Sequence, residues 1–61
     1  MTPITFKSIR QRAGLTQAGL ADVLRLSDNG ARYVRMIEKG DRTPSGPICI
    51  LMELIDQGRY P

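Results

Sequence analysis

The sequence predicts a small all-α domain built around a helix-turn-helix unit, and three observations support this fold class. Two short amphipathic stretches, residues 17–24 and 30–39, are separated by a polar turn. The second stretch carries cations on the face opposite its apolar stripe. One more stretch with helical periodicity precedes this unit and another follows it, so four helices are predicted. We expect the 61 residues to form one domain, 1–61, with a marginal core.

Composition and charge exclude several classes of protein. The chain is 41% hydrophobic and 25% charged, which is typical of a globular domain. It lacks the run of roughly 20 apolar residues that a membrane-spanning helix needs, and its first residues do not resemble a signal peptide, so we expect a cytoplasmic protein. With Cys49 as the single cysteine and no histidine, neither a disulfide nor a metal or other cofactor is expected. Eight of the nine cations lie between Lys7 and Arg42, which favours a polyanionic partner.

The first two helices are bounded by recognisable capping residues. Thr5 is expected to cap a first helix over about 6–13, with Gly14 ending it in a left-handed conformation. Thr16 then caps a second helix over about 17–24. Its small Ala21 would allow a neighbouring helix to approach closely. The inner positions of the second helix are Leu20, Ala21, Val23 and Leu24.

The third helix is predicted over about 30–39, beginning at Asn29 or Gly30 and ending at Gly40. Its inward positions are Val34 and Ile37, with Tyr33 at the edge of the apolar stripe. The opposite face offers donors for guanine edges and methyl surfaces for thymine, and it carries Ala31, Arg32, Arg35 and Met36. The alternative is an ordinary solvated cationic face.

The fourth helix is predicted over about 47–57, after a cap at Ser45 or Gly46, and is apolar nearly all round. One side can close the core through Ile48, Leu51, Met52 and Ile55. The remaining apolar residues predict a homodimer interface, formed by Cys49, Ile50, Leu54 and Tyr60. The alternative is that Ile4, Tyr60 or the N-terminal segment folds back over this helix.

The chain resembles the helix-turn-helix domain of the Cro/C1 (Xre-type) repressors. The residues that carry the resemblance are Leu15-Thr16-Gln17-Ala18-x-Leu20-Ala21-x-x-Leu24-x-Leu26-Ser27 and Val34-x-x-Ile37-Glu38-x-Gly40. The entry into the last helix is similar to that of small phage and plasmid autorepressors, including antitoxin-type regulators. The resemblance implies a lambda-repressor-like fold and a dimeric repressor of a palindromic operator on double-stranded DNA, at the nucleoid of a bacterial cell or phage-infected host.

The same resemblance implies roles for individual residues. It implies base contacts by Ala31, Arg32 and Met36, with Tyr33 and Arg35 beside them. It implies a structural ion pair between Arg10 and Glu38, which we assign to stability and not to catalysis. Backbone contacts to DNA are implied for Thr16, Gln17, Lys39, Arg42, Thr43 and Ser45.

Three departures from the family pattern bear on these expectations. Arg25 stands where glycine is common, at a cost of about 1 kcal/mol if the position needs a positive φ. Gly19 stands where glutamate is common, which weakens the second helix by about 1 kcal/mol. The turn is also three residues longer than usual, so that either Ala31 or Asn29 makes the first base contact, and Asn29 has the chemistry to read adenine.

Other functions fit the sequence less well. A protein-interaction module, such as an antitoxin-like partner or an adaptor, is an alternative supported by the apolar fourth helix. An enzyme is not expected, because the chain has no histidine, no paired carboxylates and no glycine-rich phosphate loop. A membrane-surface helix is rejected because the cations and the most apolar helix occupy different segments.

Overall fold

The computed structural model describes residues 1–60, and this part of the chain contains four α-helices and no strand. The helices are α1 (Pro3–Arg12), α2 (Gln17–Val23), α3 (Gly30–Lys39) and α4 (Gly46–Asp56). The predicted all-α helix-turn-helix fold is confirmed. None of the helices in the described residues has both the length and the apolar character needed to cross a membrane.

The first helix begins three residues earlier than the sequence predicted, and the assignment of Thr5 as its cap is wrong. The cap is Thr2, whose hydroxyl oxygen accepts a hydrogen bond from the Thr5 N–H at 3.1 Å. Pro3 follows as the first helical residue, a position where its missing N–H costs nothing. Thr5 therefore lies inside α1.

The predicted caps of α2 and α4 are confirmed. Thr16 accepts from the Gly19 N–H at 2.9 Å, and Ser45 accepts from the Ile48 N–H at 3.4 Å. Each bond satisfies one of the N–H groups that a helix start leaves without an internal partner.

All four helices end in the same backbone arrangement. A residue with positive φ follows each helix, and its N–H and that of the next residue bond to carbonyls of the last turn. These left-handed residues are Gly14, Arg25, Gly40 and Gly58, with φ of 74°, 59°, 87° and 71°. Arg25 therefore holds a conformation that an L side chain disfavours.

The core lies between the inner faces of all four helices, and α3 contacts both α1 and α2. Its fully buried side chains are Phe6, Leu20, Val34, Ile37 and Met52. Val23 and Leu51 were predicted as inner positions, but both are only half-buried at the edge of this core.

α2 and α3 approach each other closely at Gly30, which is buried. A Cβ atom added there would lie 2.7 Å from the Cβ of Leu26 and 2.8 Å from the Cβ of Ala21. The small side chain of Ala21 thus faces a glycine, and the two helices meet without room for one extra carbon atom.

Candidate nucleic-acid interface

The outer face of α3 presents two arginines. Arg32 and Arg35 are exposed, and within the described residues neither forms a salt bridge or a side-chain hydrogen bond. Ala31 and Met36 on this face are half-buried, while Val34 and Ile37 on the opposite face are buried in the core. Because the apolar face is held by the core, both guanidinium groups project away from the domain.

A shallow depression of about 240 Å³ borders this face, lined by Asn29, Arg32, Tyr33, Met36 and Arg42. On its rim the guanidinium carbon of Arg42 lies 5.3 Å from the centroid of the Tyr33 ring. This distance is that of a cation–π contact. Arg42 is therefore held beside α3 by a residue of α3 itself, a contact that the sequence pattern did not reveal.

The loop after α3 brings other expected backbone-contact residues to the same side. A second open depression, of about 410 Å³, lies between the turn before α3 and the start of α4, with Asn29, Tyr33, Arg42 and Ser45 in its lining. Thr43 is exposed in this loop. Lys39 instead has an exposed partner, since its Nζ lies 3.6 Å from a carboxylate oxygen of Asp41.

Arg10 of α1 and Glu38 of α3 form a bidentate ion pair. Arg10 donates from Nε to Oε2 of Glu38 at 2.6 Å and from Nη2 to Oε1 at 3.1 Å. The two side chains are only 11% and 5% exposed. Arg10 also donates from Nη1 to the Leu15 carbonyl at 2.8 Å, so the pair fixes the connection between α1 and α2.

Gln17 joins this network, which the sequence analysis did not foresee. Its Nε2 lies 3.3 Å from Oε1 of Glu38 and donates to it. The amide NH₂ has a second N–H that this bond does not use. The first residue of α2 is thereby tied to the last turn of α3.

The outer face of α4 is partly covered. Ile50 is 59% exposed, whereas Cys49 and Leu54 are half-buried. Tyr60, expected at a dimer interface, packs half-buried against its own chain, and its hydroxyl donates to the Val23 carbonyl at 2.7 Å. The alternative was that Ile4 or Tyr60 folds back over this helix: Tyr60 bonds to the end of α2, and Ile4 is 80% exposed. No group of three histidine, cysteine or acidic side chains within residues 1–60 is placed to hold a metal ion.

Comparison with protein families gives one match that covers most of the chain. A family model described as helix-turn-helix matches residues 6–55, from the first core residue of α1 to the last core residue of α4. Comparisons with curated proteins and with solved structures give no significant match. The chain belongs to the family of Cro/C1-type helix-turn-helix regulators and is a DNA-binding transcription regulator.

Proposed function

We propose that the chain is a homodimeric repressor that reads an inverted-repeat operator by inserting α3 into the major groove. The observation that carries the proposal is the pair of exposed, unpartnered arginines, Arg32 and Arg35, on the face of α3 opposite its buried stripe. A guanidinium forms two hydrogen bonds with one guanine edge, which is the commonest specific contact in the major groove.

The distribution of unpaired charge supports this orientation. Arg10, Arg12 and Lys39 each have an acidic partner. Within the described residues, the cations without an acidic partner are Lys7, Arg25, Arg32, Arg35, Arg42 and Arg59. Four of these six belong to α3 or to the segments that flank it. The unpaired cations are therefore concentrated around α3, where the phosphates of a bound duplex would lie, and the one unpaired acid in the same segments of the described chain is Asp28.

Base contacts are proposed for the residues of α3 and the turn before it. Met36 and Ala31 would offer apolar surface to thymine methyl groups, beside the arginines. Asn29 precedes the first helical residue and is exposed, which supports a base contact by its amide. Tyr33 would act mainly by holding Arg42 at the rim of the groove.

Backbone contacts are proposed for polar groups that keep a free donor after their internal bonds are counted. The hydroxyls of Thr16 and Ser45 accept N–H groups as helix caps and retain their own protons for a phosphate oxygen. Gln17 retains one amide N–H. Arg42 and Thr43 lie in the exposed loop after α3, and Lys39 would exchange its partner Asp41 for phosphate.

Dimerisation is proposed through the outer face of α4. Ile50 is largely exposed there, with Leu54 and Cys49 half-buried beside it. An apolar helix face on so small a domain gains stability from a symmetric partner. A two-fold pair of α3 helices would then read two half-sites related by the same symmetry.

Selection of bound sequences from a random duplex library at near-physiological salt tests the proposal. We expect an inverted repeat, and a log–log salt slope near −5 if the dimer neutralises about six phosphates. Arg32→Ala or Arg35→Ala should reduce discrimination at one base pair of each half-site by about 1–3 kcal/mol.

Arg59→Ala is the matched control, since it removes the same charge from the segment after α4. It should leave the selected sequence unchanged. Equal loss of affinity for operator and random DNA in the α3 variants would contradict the base-reading role.

A second candidate follows from the same α4 face, namely an antitoxin-like or adaptor role in which α4 binds a different protein. Analytical ultracentrifugation with and without the selected duplex distinguishes the two. A dimer that Ile50→Asp dissociates supports the homodimer. A strict monomer that still selects a single half-site would favour a different protein as the partner of α4.

A further inference from the structure

We infer that Tyr60 is a positioning residue for DNA reading, acting through a hydrogen bond to the end of α2. Its hydroxyl donates to the Val23 carbonyl at 2.7 Å across a sequence separation of 37 residues. The inference rests on the proposed function, because it concerns how the arginines of α3 are placed against the bases.

The bond satisfies one of the carbonyls that the backbone leaves free at the end of α2. At the end of α2, the Leu26 N–H donates to the Ala21 carbonyl at 3.0 Å, and the Arg25 N–H donates to the Asp22 carbonyl at 3.1 Å. Val23 is the next carbonyl, and within the described residues no backbone N–H reaches it. Tyr60 supplies the missing donor, so the last residue of α2 is held by a side chain from beyond α4.

The segment that receives this bond is also the strained one. Arg25 has φ of 59° and is the one non-glycine residue at positive φ in the described part of the chain. The other three helix ends carry glycine at this position. A turn with a non-glycine residue at positive φ needs a contact from elsewhere in the fold to keep one conformation. Tyr60 provides such a contact at Val23, two residues before Arg25.

The position of this turn determines the position of α3. Leu26 follows Arg25, and its Cβ lies against Gly30, the first residue of α3, where an added Cβ would stand only 2.7 Å away. Because there is no spare volume between Leu26 and Gly30, the turn cannot move toward α3 without moving the start of that helix. A displacement at Val23 would therefore move Arg32, in the first turn of α3, relative to the bases.

The backbone turns back after α4 and brings Tyr60 next to Val23. Gly58 has φ of 71°, and the Arg59 N–H donates to the Leu54 carbonyl at 2.8 Å. The aromatic ring of Tyr60 then packs against the core edge beside Val23. The same short segment thus joins α4, which carries the proposed dimer face, to the end of α2.

Tyr60→Phe tests the inference because it removes only the hydroxyl. We expect affinity for the selected operator to fall about five- to tenfold, while affinity for random duplex stays within about twofold since phosphate contacts tolerate a shift. In the free protein, amide chemical shifts should change from Leu24 to Gly30 and into α3.

Ile55→Val is the matched control for stability. Ile55 is buried in α4 and lies outside the turn after α2, so this change weakens the fold and keeps the Tyr60 hydroxyl that bonds Val23. It should leave the ratio of operator to random-duplex affinity unchanged. A second variant, Arg25→Gly, relieves the backbone strain of the turn. In that background, Tyr60→Phe should have a smaller effect on operator affinity.

Two results would overturn the inference. One is an unchanged affinity ratio in Tyr60→Phe, and the other is the same change in ratio for Tyr60→Phe and Ile55→Val. Failure of the proposed function is seen separately, as an unchanged base preference in Arg32→Ala. A shifted preference in Arg32→Ala with an unchanged ratio in Tyr60→Phe would leave the function standing and remove the role of Tyr60.

Discussion

The two ends of α2 are held in different ways. At its start, Thr16 caps the helix, and Gln17 is tied to Glu38, which pairs with the largely buried Arg10. At its end, Arg25 holds an unfavourable left-handed conformation, and Tyr60 contributes one neutral hydrogen bond. The start is fixed by several charge-assisted bonds. The end has its own two backbone bonds, and its one side-chain hydrogen bond from another part of the chain is the neutral bond from Tyr60.

This difference separates a rigid part of the motif from an adjustable one. A buried, bidentate pair has one good geometry, and loss of either partner strands a charge. A turn with a strained residue keeps its conformation only while the surrounding contacts hold it, and Tyr60 is one of those contacts. The end of α2 is the one that leads into α3, so the helix proposed to read DNA is placed by the weaker of the two attachments.

Removal of the acid at the rigid end should have the largest effect. Glu38→Ala leaves the guanidinium of Arg10 without its partner at a site where that side chain is only 11% exposed. We expect the free energy of unfolding to fall by about 3 kcal/mol, measured by urea denaturation. Glu53→Ala, at an exposed acid of α4, should change it by less than about 0.5 kcal/mol. Similar losses in the two variants would contradict the assignment of the start of α2 as the rigid end.

A substitution in the connection between α1 and α2 measures the backbone strain of a left-handed non-glycine residue, which is the conformation of Arg25. Gly14 has φ of 74°, and a Cβ added there meets no atom within 4 Å. Gly14→Ala therefore adds backbone strain without a clash, and we expect a net loss of about 0.5–1 kcal/mol in the free energy of unfolding after the smaller entropy of the unfolded alanine is counted. A loss near zero would mean that a left-handed Arg25 is not strained either.

The converse substitution after α2 should have the opposite sign. Arg25→Gly is expected to raise the thermal midpoint, with a gain of about 0.5–1 kcal/mol after the greater entropy of unfolded glycine is counted. Arg25→Ala is the control, because it removes the same charge and keeps the strain. An equal gain in both variants would assign the effect to charge and not to backbone conformation.

The smallest effect is expected at the exposed ion pair between α1 and α4. Arg12 lies 2.8 Å from Asp56, but the two side chains are 64% and 43% exposed. Arg12→Ala should cost less than about 1 kcal/mol, and that cost should shrink further in high salt. A loss comparable to that of Glu38→Ala would show that burial does not distinguish the two pairs.

The elements that sequence analysis predicted correctly are those set by local chemistry. Thr16 and Ser45 cap helices through bonds to an N–H three residues ahead, so the residues that decide the outcome are adjacent. The error at α1 has the same origin, since Thr2 and Thr5 are both capable caps. Pro3, which suits a first helical position, is the signal that favours Thr2.

The candidate interface was predictable only in part. The exposed face of α3 follows from helical periodicity, because Val34 and Ile37 fix which side is buried. The bond from Tyr60 to Val23 and that from Gln17 to Glu38 join residues 37 and 21 positions apart, and depend on how the helices pack. The sequence carried one indication of the Tyr60 bond, namely Arg25 at a position where glycine is common. A non-glycine residue in a left-handed conformation implies support from elsewhere in the fold.

The exposure of Arg32 and Arg35 bears on how this domain tolerates sequence change. Neither side chain takes part in the core, the helix caps or the buried ion pair. Replacing them alters the chemistry of the outer face of α3 at almost no thermodynamic cost, because solvent-facing helix positions rarely change stability by more than about 0.5 kcal/mol. The two arginines proposed to read bases are therefore not among the residues that maintain the fold, and base recognition through them could diversify on an unchanged framework.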